Sequence, residues 1–465
     1  MMQWTVRLEA RTDKGEVKSA ELVTIRRPAM ASTLAEIGLT LAEAKALLTK
    51  LQASIVCDQL AEYAAHRRVC PDCGMLQPLK DRRTRRLQTL FGTVEIEAPR
   101  FRVCRCRRSA PRVEVAFSPV SELLTARCTP ELERVQAELG ARTSFREAAR
   151  ILEALLPASP ANHESVRTRT HAVALRIEAG DRRTAAAVVP AQDGPKAAGS
   201  DASRPIVMLD GAYVRAVPGH QVRNFEAICG KVEQEGHSSR RFALVRSVAE
   251  QPHGLLRAAL REQGWRERKP VTAISDGDPA LPALVRSATG GPVEHILDWF
   301  HLSMRVRHVE LALLGLYALE PTHRGPLEHA QGDGERLRHL LWNGYHEEAC
   351  EALGRIASGA EDAARLNGAA VEAKAGRLVA RCTELRADIE NNDGALIDYG
   401  QRYRAGKPIS TSRAEGTVNH LVNARMNKRR QMRWSPRGAH RVLQVRAAVL
   451  DGRLGLGQQA IQLAA

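Results

Sequence analysis

Hydrophobic and polar residues alternate at the start of the chain, which is the pattern of a half-buried β-strand. The alternation covers residues 4–10, turn-forming residues follow at 13–15, and a second apolar stretch lies at 22–25. This arrangement predicts a β-hairpin. The spacing of apolar residues over 32–66 is helical, so we treat residues 1–66 as an N-terminal hairpin and helix.

Residues 130–179 have the periodicity of three helices. Pro130 suits the first helical position and Gly140 the end of that helix, while Ser144–Glu147 forms a capping box that opens the second helix. The third helix, from about Glu164 to Glu178, is predicted to turn three arginines outward: Arg167, Arg169 and Arg176. Two short helices before a basic one suit helix-turn-helix DNA binding, although a plain three-helix bundle fits equally well.

The pattern changes to strands after a stretch over 180–204 that is rich in Ala, Pro, Gly and Asp and is predicted to be a linker. Apolar runs predict strands at 206–209, 225–232, 242–248, 271–274 and 295–297, with a helix at 253–263. Three strands, a helix, a strand, a helix and a strand indicate a mixed α/β sheet over 205–300. Residues 301–405 are helical in pattern throughout.

Four cysteines lie in two pairs within an arginine-rich stretch, residues 67–112: Cys70, Cys73, Cys104 and Cys106. Four thiolates bind Zn²⁺ as a tetrahedron, and the strand-like alternation between the pairs is typical of a zinc ribbon. The second pair has one spacer residue where two are more usual. Free thiols or a redox motif are the alternatives, but a redox motif opens a helix that follows a strand. We therefore predict a structural zinc ion with no open coordination position.

Positive charge is concentrated in two parts of the chain. Among 465 residues, Lys and Arg outnumber Asp and Glu by 69 to 53, a formal net charge of +16. Residues 61–110 hold 12 basic and 5 acidic side chains, while residues 401–450 hold 12 basic side chains and a single acidic one, Glu415. A single run of basic residues can be explained as a solvent-exposed face of the protein. Two separate basic stretches instead favour a polyanionic partner.

The sequence also indicates in which cellular compartment the protein is expected. The N-terminus has no apolar core of a secretory signal, and no stretch approaches the ~18 apolar residues of a membrane span. Nine cysteines are an odd number, and five of them are scattered singly, as expected in a reducing compartment. We expect a cytoplasmic protein with no membrane partner.

Two aspartates fall on predicted strands at places where a carboxylate needs a cation or hydrogen-bond donors. Asp210 belongs inside a strand rather than in a hairpin turn, because Pro218-Gly219 supplies the turn a few residues later. Asp276 ends the strand over 271–275. Its neighbour Asp278 precedes Pro279 and fits a helix N-cap, which leaves Asp276 without a structural task.

Two further acids have clear structural explanations. Asp298 can cap the helix that follows it. Glu415 fits a capping box with Ser412, although a residue at that helix start can also point into a cleft. Carboxylates that converge from separate elements are what two-metal phosphoryl chemistry requires.

Several short motifs make the sequence similar to a known family: Val207–Tyr213 (VMLDGAY), Ile274–Asp278 (ISDGD), Ile296–His301 (ILDWFH), Thr411–Asn419 (TSRAEGTVN) and the stretch Arg425–Ser435. In this order they resemble the DDE-type transposases of bacterial insertion sequences, specifically the ISKra-type group, which is related more distantly to the Mutator superfamily. The resemblance extends from about residue 70 to residue 450.

The resemblance implies a ribonuclease-H-like catalytic core, a large helical insertion over 301–405, and a C-terminal core helix with a basic segment over 406–450. It matches Asp210, Asp276 and Glu415 to the family's acidic triad, which would hold catalytic Mg²⁺ or Mn²⁺. Asp298 and Asp278 are the runners-up for this site. The expected enzyme binds the terminal inverted repeats of its element, cleaves the ends and joins them to target DNA, as a homo-oligomer on DNA associated with the bacterial nucleoid.

The same resemblance assigns DNA contacts. Four basic residues are expected to hold backbone phosphates: Lys428, Arg429, Arg430 and Arg433. The zinc ribbon and the helices over 130–179 would recognise the DNA ends. Two other classes of function stay open at this point: a nuclease or junction resolvase on the same fold, which cuts without joining, and a non-enzymatic zinc-ribbon regulator whose acids only cap helices.

Overall fold

The computed structural model describes residues 1–12, 15–107, 115–157, 162–187, 204–267, 269–319, 324–367, 369–427 and 432–454. The chain divides into two compact units, Met1–Val173 and Ala174–Ala465. Both contain β-sheet and helices, so the protein is multidomain and of mixed α/β class. In the part of the chain that the structure describes, no helix has the length and apolar character needed to cross a membrane.

The first unit begins with the predicted hairpin, formed by β1 (Met2–Arg11) and β2 (Val17–Arg27) in antiparallel pairing. Of the predicted turn, Asp13 and Lys14 lie outside the described residues. Helix α1 (Leu41–Arg67) follows and starts at a capping box, in which the Thr40 side chain accepts from the Glu43 amide while the Glu43 carboxylate accepts from the Thr40 amide. The helical pattern over 32–66 is thus confirmed for its larger part.

A three-stranded sheet comes next, built from β3 (Leu79–Thr89), β4 (Gly92–Arg102) and the short β5 (Ala116–Phe117). Strands β3 and β4 form an antiparallel hairpin between the two cysteine pairs, and β4 also pairs with β5. Alternate residues of this hairpin face α1 and form the core of the region with it: Leu60, Ala64, Leu87, Val94, Ile96, Ala98 and Val120.

Four helices follow: α2 (Pro119–Leu123), α3 (Pro130–Arg142), α4 (Phe145–Leu155) and α5 (His163–Ala186). Pro130 is confirmed as the first residue of its helix, and the Ser144 side chain caps α4 by accepting from the Glu147 amide. The predicted end at Gly140 is wrong, because α3 continues to Arg142. At Gly140 the helices approach closely, and a Cβ there would lie 2.6 Å from the Thr170 hydroxyl.

Helix α5 also corrects two predictions. It runs to Ala186, so the first residues of the predicted 180–204 linker are helical, while 188–203 lie outside the described residues. Arg169 was expected to face outward. Instead its guanidinium donates to the side chains of Gln136 and Gln88, which makes it part of the packing of the first unit.

The second unit is organised around a five-stranded sheet: β6 (Ile206–Arg215), β7 (Asn224–Glu233), β8 (Arg240–Val245), β9 (Val271–Ser275) and β10 (Val293–Leu297). Their order across the sheet is β8-β7-β6-β9-β10. The first three strands form an antiparallel meander, β9 is parallel to β6, and β10 is parallel to β9. The predicted third strand ends at Val245 rather than at Val248.

Two helices, α6 (Pro252–Glu262) and α7 (Ala280–Thr289), connect the last three strands and share one hydrophobic core with the odd-numbered residues Val207 and Leu209 of β6. The even-numbered Met208, together with Ile274 and Ile296, packs on the opposite face of the sheet. That face is covered by the long helices of the 301–405 region.

The predicted all-helical stretch is confirmed. It contains α8 (Trp299–Tyr317), α9 (Arg324–Trp342), α10 (His346–Asn367), α11 (Ala369–Asn391) and α12 (Tyr399–Arg404). The chain then forms α13 (Ser412–Val418), a π-helical turn at Asn419–Asn423, and α14 (Pro436–Leu450). Helix α13 packs on β6 and β7, while α14 packs on β8.

One buried arginine joins distant parts of the second unit. The Arg240 side chain at the start of β8 is almost fully buried and pairs with three carboxylates, those of Asp181 on α5, Glu262 on α6 and Asp451 after α14. A buried charge needs such partners, since leaving it unpaired costs roughly 3–5 kcal/mol. The C-terminal end of the described chain is therefore part of the core.

Candidate functional site

The strand register brings three aspartates into one row. Met208 of β6 pairs with Ile274 of β9, which in turn pairs with Ile296 of β10. Asp210, Asp276 and Asp298 each come two residues after these partners. Residues two apart share a face, and neighbouring strands lie about 4.8 Å apart. The three carboxylates therefore line the carboxyl edge of the parallel strands, on the face that the long helices cover.

Asp210 confirms the strand placement predicted for it, because it is the fifth residue of β6 and is not in a turn. Burial raises the pKa of Asp210 to about 6, the negative charges of Asp276 and Asp298 act in the same direction, and the His301 side chain opposes them. The charges of the three other side chains thus act on the Asp210 carboxyl. An additional positive charge at this place would stabilise the ionised form of Asp210.

Asp276 follows the last residue of β9, as predicted. Its Oδ1 accepts from the Asp278 amide at 3.3 Å, and the Asp278 carboxylate accepts from the Ala280 amide at 2.9 Å. The helix begins at Ala280, so Pro279 rather than Asp278 occupies the N-cap position. Asp278 nevertheless caps α7 with its side chain, which agrees with its predicted structural role.

Asp298 is fully buried and both of its oxygens are occupied. Its Oδ1 accepts from the amides of Phe300 and Thr411, while its Oδ2 accepts from the Thr411 hydroxyl and lies 3.0 Å from His301 Nδ1. Burial alone would raise the pKa of Asp298, but these contacts outweigh it and hold the pKa below its usual value. The predicted helix cap is confirmed. Since no oxygen stays open, Asp298 is the weaker of the candidates for binding a metal.

Asp298 also fixes the start of the helix that carries Glu415. Its amide donates to the Ser275 carbonyl at the end of β9, and the Trp299 amide donates to the Ile409 carbonyl. Together with the two bonds from Thr411, these contacts hold the segment before α13 against the acid row. Helix α13 begins at Ser412 itself, whereas the predicted capping box needs Ser412 just before the helix. The Glu415 side chain lies outside what the structure describes.

His301 was part of a quoted motif, but sequence reasoning gave it no role. Its contact with Asp298 raises the pKa of His301, burial acts against this, and the negative charges of Asp210 and Asp276 add to the increase. A histidine three residues after a capping aspartate faces the same side of the helix as the cap. That spacing is the signal that could have identified it.

The residues on either side of the basic segment are anchored beside β6. Of the predicted DNA-binding residues, Arg433 is exposed, while Lys428, Arg429 and Arg430 lie outside the described residues. On one side of this gap, Asn427 Nδ2 donates to the Tyr213 carbonyl at 2.9 Å; on the other, the Trp434 amide donates to the Arg215 carbonyl at 3.0 Å. Both anchors lie on β6 a few residues beyond Asp210.

The first unit contains a second candidate site. The sulfurs of the four predicted cysteines lie within 4.8 Å of one another, and three pairs are 3.5 Å apart: Cys70 with Cys106, Cys73 with Cys104, and Cys73 with Cys106. A tetrahedral zinc ion with Zn–S bonds of about 2.3 Å requires sulfur separations of roughly 3.8 Å. The donor set and its spacing fit a zinc ion.

Local backbone turns hold these sulfurs in place. Gly74, with φ of +69°, closes the first turn by donating its amide to the Cys70 carbonyl at 2.9 Å. The amide of Cys106 lowers the pKa of the Cys104 thiol. Burial opposes ionisation of Cys70, yet the amides of Cys73 and Asp72 help to bring its pKa down to about 7. Thiolates are the form that binds metal.

No protein-family model matches the chain, and a comparison with curated proteins finds no match. The grounds for a function are therefore the acid row, the anchored basic segment and the cysteine cluster.

Proposed function

We propose that this protein is a DDE-type DNA transposase, which cleaves the ends of its element and joins them to target DNA in a metal-dependent reaction. One observation carries the proposal: β6 and β9 pair Met208 with Ile274, so that Asp210 and Asp276 each follow two residues after a paired position at the carboxyl edge of the sheet, and the helix that carries Glu415 packs on β6 and β7. Carboxylates from three separate elements are what a two-metal phosphoryl-transfer site needs.

The topology supports the ribonuclease-H-like core implied by the resemblance. An antiparallel meander of three strands is followed by two strands that run parallel to the first of them. The chain leaves this sheet after β10, forms the helices α8 to α12, and returns with α13 against β6 and β7. A helical insertion between the second and third acid has this form.

In the proposed reaction Asp210, Asp276 and Glu415 hold two Mg²⁺ or Mn²⁺ ions, for which carboxylate oxygens are suitable ligands. When bound, such ions would supply a nucleophile at neutral pH and would stabilise charge on the leaving oxygen. The chain itself fixes the geometry. Asp298 ties β9, α8 and the start of α13 together, and His301 contacts Asp298 beside the acids.

We further propose that the four cysteines bind a structural zinc ion and that, with the β3–β4 hairpin, they form a zinc ribbon for DNA recognition. Four protein ligands leave no open position for substrate. The helices α3 to α5 would add a helix-turn-helix-like contact. Of the arginines on α5, Arg169 is not available for such a contact, because its guanidinium donates to the Gln136 side chain.

The deciding experiment uses DNA with the inverted repeats that flank the reading frame. In Mg²⁺ the wild-type protein should cut at the repeat ends and join them to a target plasmid. Asp210→Asn and Asp276→Asn should bind the repeats and do neither, because each loses a charged metal ligand. If both variants cut like the wild type, the proposed site is wrong.

The same assay separates the alternatives. The acid row would serve equally in a nuclease or resolvase, which would give cut ends but no joined product. A non-enzymatic DNA-binding regulator would bind the repeats without cutting them in any divalent metal. Each result identifies one class, because binding, cutting and joining are measured on the same DNA.

Affinity for DNA should fall steeply with salt concentration. Each phosphate contact contributes about 0.9 to the slope of log affinity against log salt. Replacing Lys428, Arg429 and Arg430 with Ala should therefore reduce the slope by up to ~3. An unchanged slope would show that this segment does not touch DNA.

A further inference from the structure

Helix α8 carries a second charged residue on the side that faces the acid row. Arg305 comes four residues after His301, so the two side chains lie one helical turn apart on the same face. Because His301 contacts Asp298 and senses the charges of Asp210 and Asp276, this face of α8 borders the proposed catalytic site. Arg305 is about half exposed, with 49% of its side-chain surface accessible.

Arg305 is held by an aspartate from the far end of the helical insertion. Its Nε lies 2.5 Å from Oδ2 of Asp388 on α11. Burial raises the pKa of Asp388, and the negative charges of Glu384 and Asp276 act in the same direction, against the attraction of Arg305. Asp276 is thus among the charges that act on the Asp388 carboxyl.

The end of α11 lies close to the turn that follows Asp276. Asn392 Nδ2 donates to the Asp388 carbonyl at 2.9 Å, and a Cβ added to Gly277 would lie 2.9 Å from the same nitrogen. Asp388, and the arginine that it holds, are therefore near the turn that contains Asp276 and Gly277.

Exposure leaves Arg305 accessible to a further partner. Its contact with Asp388 is closest at Nε, and about half of the side-chain surface stays accessible, 49%. The guanidinium of an arginine presents a planar fork of donors that matches phosphate oxygens. A half-exposed arginine that a carboxylate holds in place is therefore suited to bind an anion.

We propose that Arg305 binds a backbone phosphate of the DNA strand beside the bond that is cut, and that Asp388 is the positioning residue that holds it there. The proposal rests on the proposed function, because the acid row defines where the DNA lies. A row of carboxylates repels a phosphodiester, and Arg305 offers a compensating positive charge at its border. The DNA phosphate rather than a protein carboxylate is the expected partner, because it reaches the acid row in every turnover.

The chain offers a matched control on the same helix. Arg307 is similarly exposed and pairs with Glu310 at 2.7 Å, three residues further on. Arg305→Ala should reduce the rate of cleavage by about 10- to 100-fold, the usual effect of losing a hydrogen bond to a charged group. Arg307→Ala should stay within about twofold of the wild type. Equal rates for the two variants would overturn the proposal.

A role in folding is separated from a role in binding by changing the DNA. A neutral methylphosphonate is placed at one phosphate at a time on either side of the cleaved bond. The wild type should be slowed at one position in particular, and Arg305→Ala should be slowed no further there. Arg305→Lys should recover part of the rate, since it restores the charge without the planar fork. An Arg305→Ala enzyme with the same position dependence as the wild type would overturn the proposal.

Asp388 is tested through its dependence on Arg305. Asp388→Asn should slow cleavage in the wild-type background and have no further effect in Arg305→Ala, because it acts through the arginine. Additive losses would overturn the positioning role. If the wild type cuts no DNA, the proposed function fails and this inference with it; if it cuts and Arg305→Ala matches Arg307→Ala, only the inference fails.

Discussion

The two candidate metal sites differ in how far apart their ligands lie along the chain. All four cysteines fall between residues 70 and 106, in turns at the two ends of one hairpin, and their sulfurs are as close as 3.5 Å. Asp210 and Asp276 come from β6 and from the turn after β9, which only the folded sheet brings together, and the helix that carries Glu415 packs on β6 and β7. The cysteine site is made by local turns, while the carboxylate site is made by strand register.

The two sites should therefore respond in opposite ways when metal is absent. Four thiolates packed together need a cation, and structural zinc contributes its binding energy directly to folding. The aspartates lie on a sheet whose core is complete without them, so the second unit should stay folded when metal-free.

The largest effect is expected at the cysteine cluster. Cys73→Ser removes one thiolate and should abolish zinc binding, since zinc-site energies reach about 10 kcal/mol or more. The purified wild type should hold about one zinc per chain by metal analysis, and the variant none, with loss of the unfolding transition of the first unit. Cys57→Ser, at an exposed cysteine outside the cluster, is the control. A well-folded wild type without zinc would contradict the prediction.

The next largest effect concerns Glu415, for which two explanations diverge. As a member of a capping box it should tolerate Glu415→Gln, because an amide can also reach the cap. As a metal ligand it should not, and the lost stabilisation of several kcal/mol corresponds to a rate reduction of roughly a thousandfold. Cleavage kinetics in Mg²⁺ decide between them. An active Glu415→Gln enzyme would redirect the search for the third acid.

A moderate effect is expected on the stability of the metal-free second unit. The pKa of Asp210 is about 6 in the folded protein, against about 3.9 in an unfolded chain. Between these two pH values, the folded state therefore keeps a proton on Asp210 that the unfolded state has lost. Stability is unaffected below about pH 4, falls as the pH rises towards 6, and stays lower above it, by about 3 kcal/mol.

Asp210→Asn should remove this pH dependence and make the metal-free protein more stable than the wild type at pH 8. Urea unfolding at pH 4 and pH 8 measures the difference. Added Mg²⁺ should stabilise the wild type at pH 8 and leave the variant unchanged. If the stability of the two proteins depends on pH in the same way, the pKa of Asp210 is not raised in the folded protein and this prediction is wrong.

The smallest effect is expected at Asp278, which only caps α7. Asp278→Ala loses the hydrogen bond from the Ala280 amide and should cost about 1 kcal/mol of stability, with cleavage close to the wild-type rate. Thermal unfolding and the cleavage assay are run together. A large loss of activity without a loss of stability would place Asp278 among the metal ligands.

Local patterns in the sequence were sufficient for the parts of the fold that depend on neighbouring residues. The N-terminal hairpin, the strands, the helical stretch and the cap at Asp298 follow from alternation, helical spacing and turn residues. The positions of Asp210 inside its strand and of Asp276 after its strand were predicted in the same way. The cysteine cluster was predicted from spacing, because its ligands are close in sequence.

Contacts between distant residues were not predictable in this way. Gly180 and Asp181 indicated a linker, but α5 continues to Ala186, and the Asp181 carboxylate pairs with Arg240. Nothing in the local sequence signals that Thr411 would fill the oxygens of Asp298. Strand order and register are set by the whole hydrophobic pattern of the sheet. The row of acids could therefore be expected from the sequence, but the contacts that His301 and Thr411 make with it could not.

The ion cluster around Arg240 has a consequence for the order of events during synthesis. Its partner Asp451 is one of the last residues of the described chain, and Trp434, which extends the edge of β6, also comes late. Ribosomes add about 5–20 residues per second, so Val173, the last residue of the first unit, is added roughly 14 to 56 s before Asp451. Until then Arg240 has Asp181 and Glu262 to pair with but lacks its third partner, Asp451. The sheet that carries the acids therefore reaches its final stability only after Asp451 has been made.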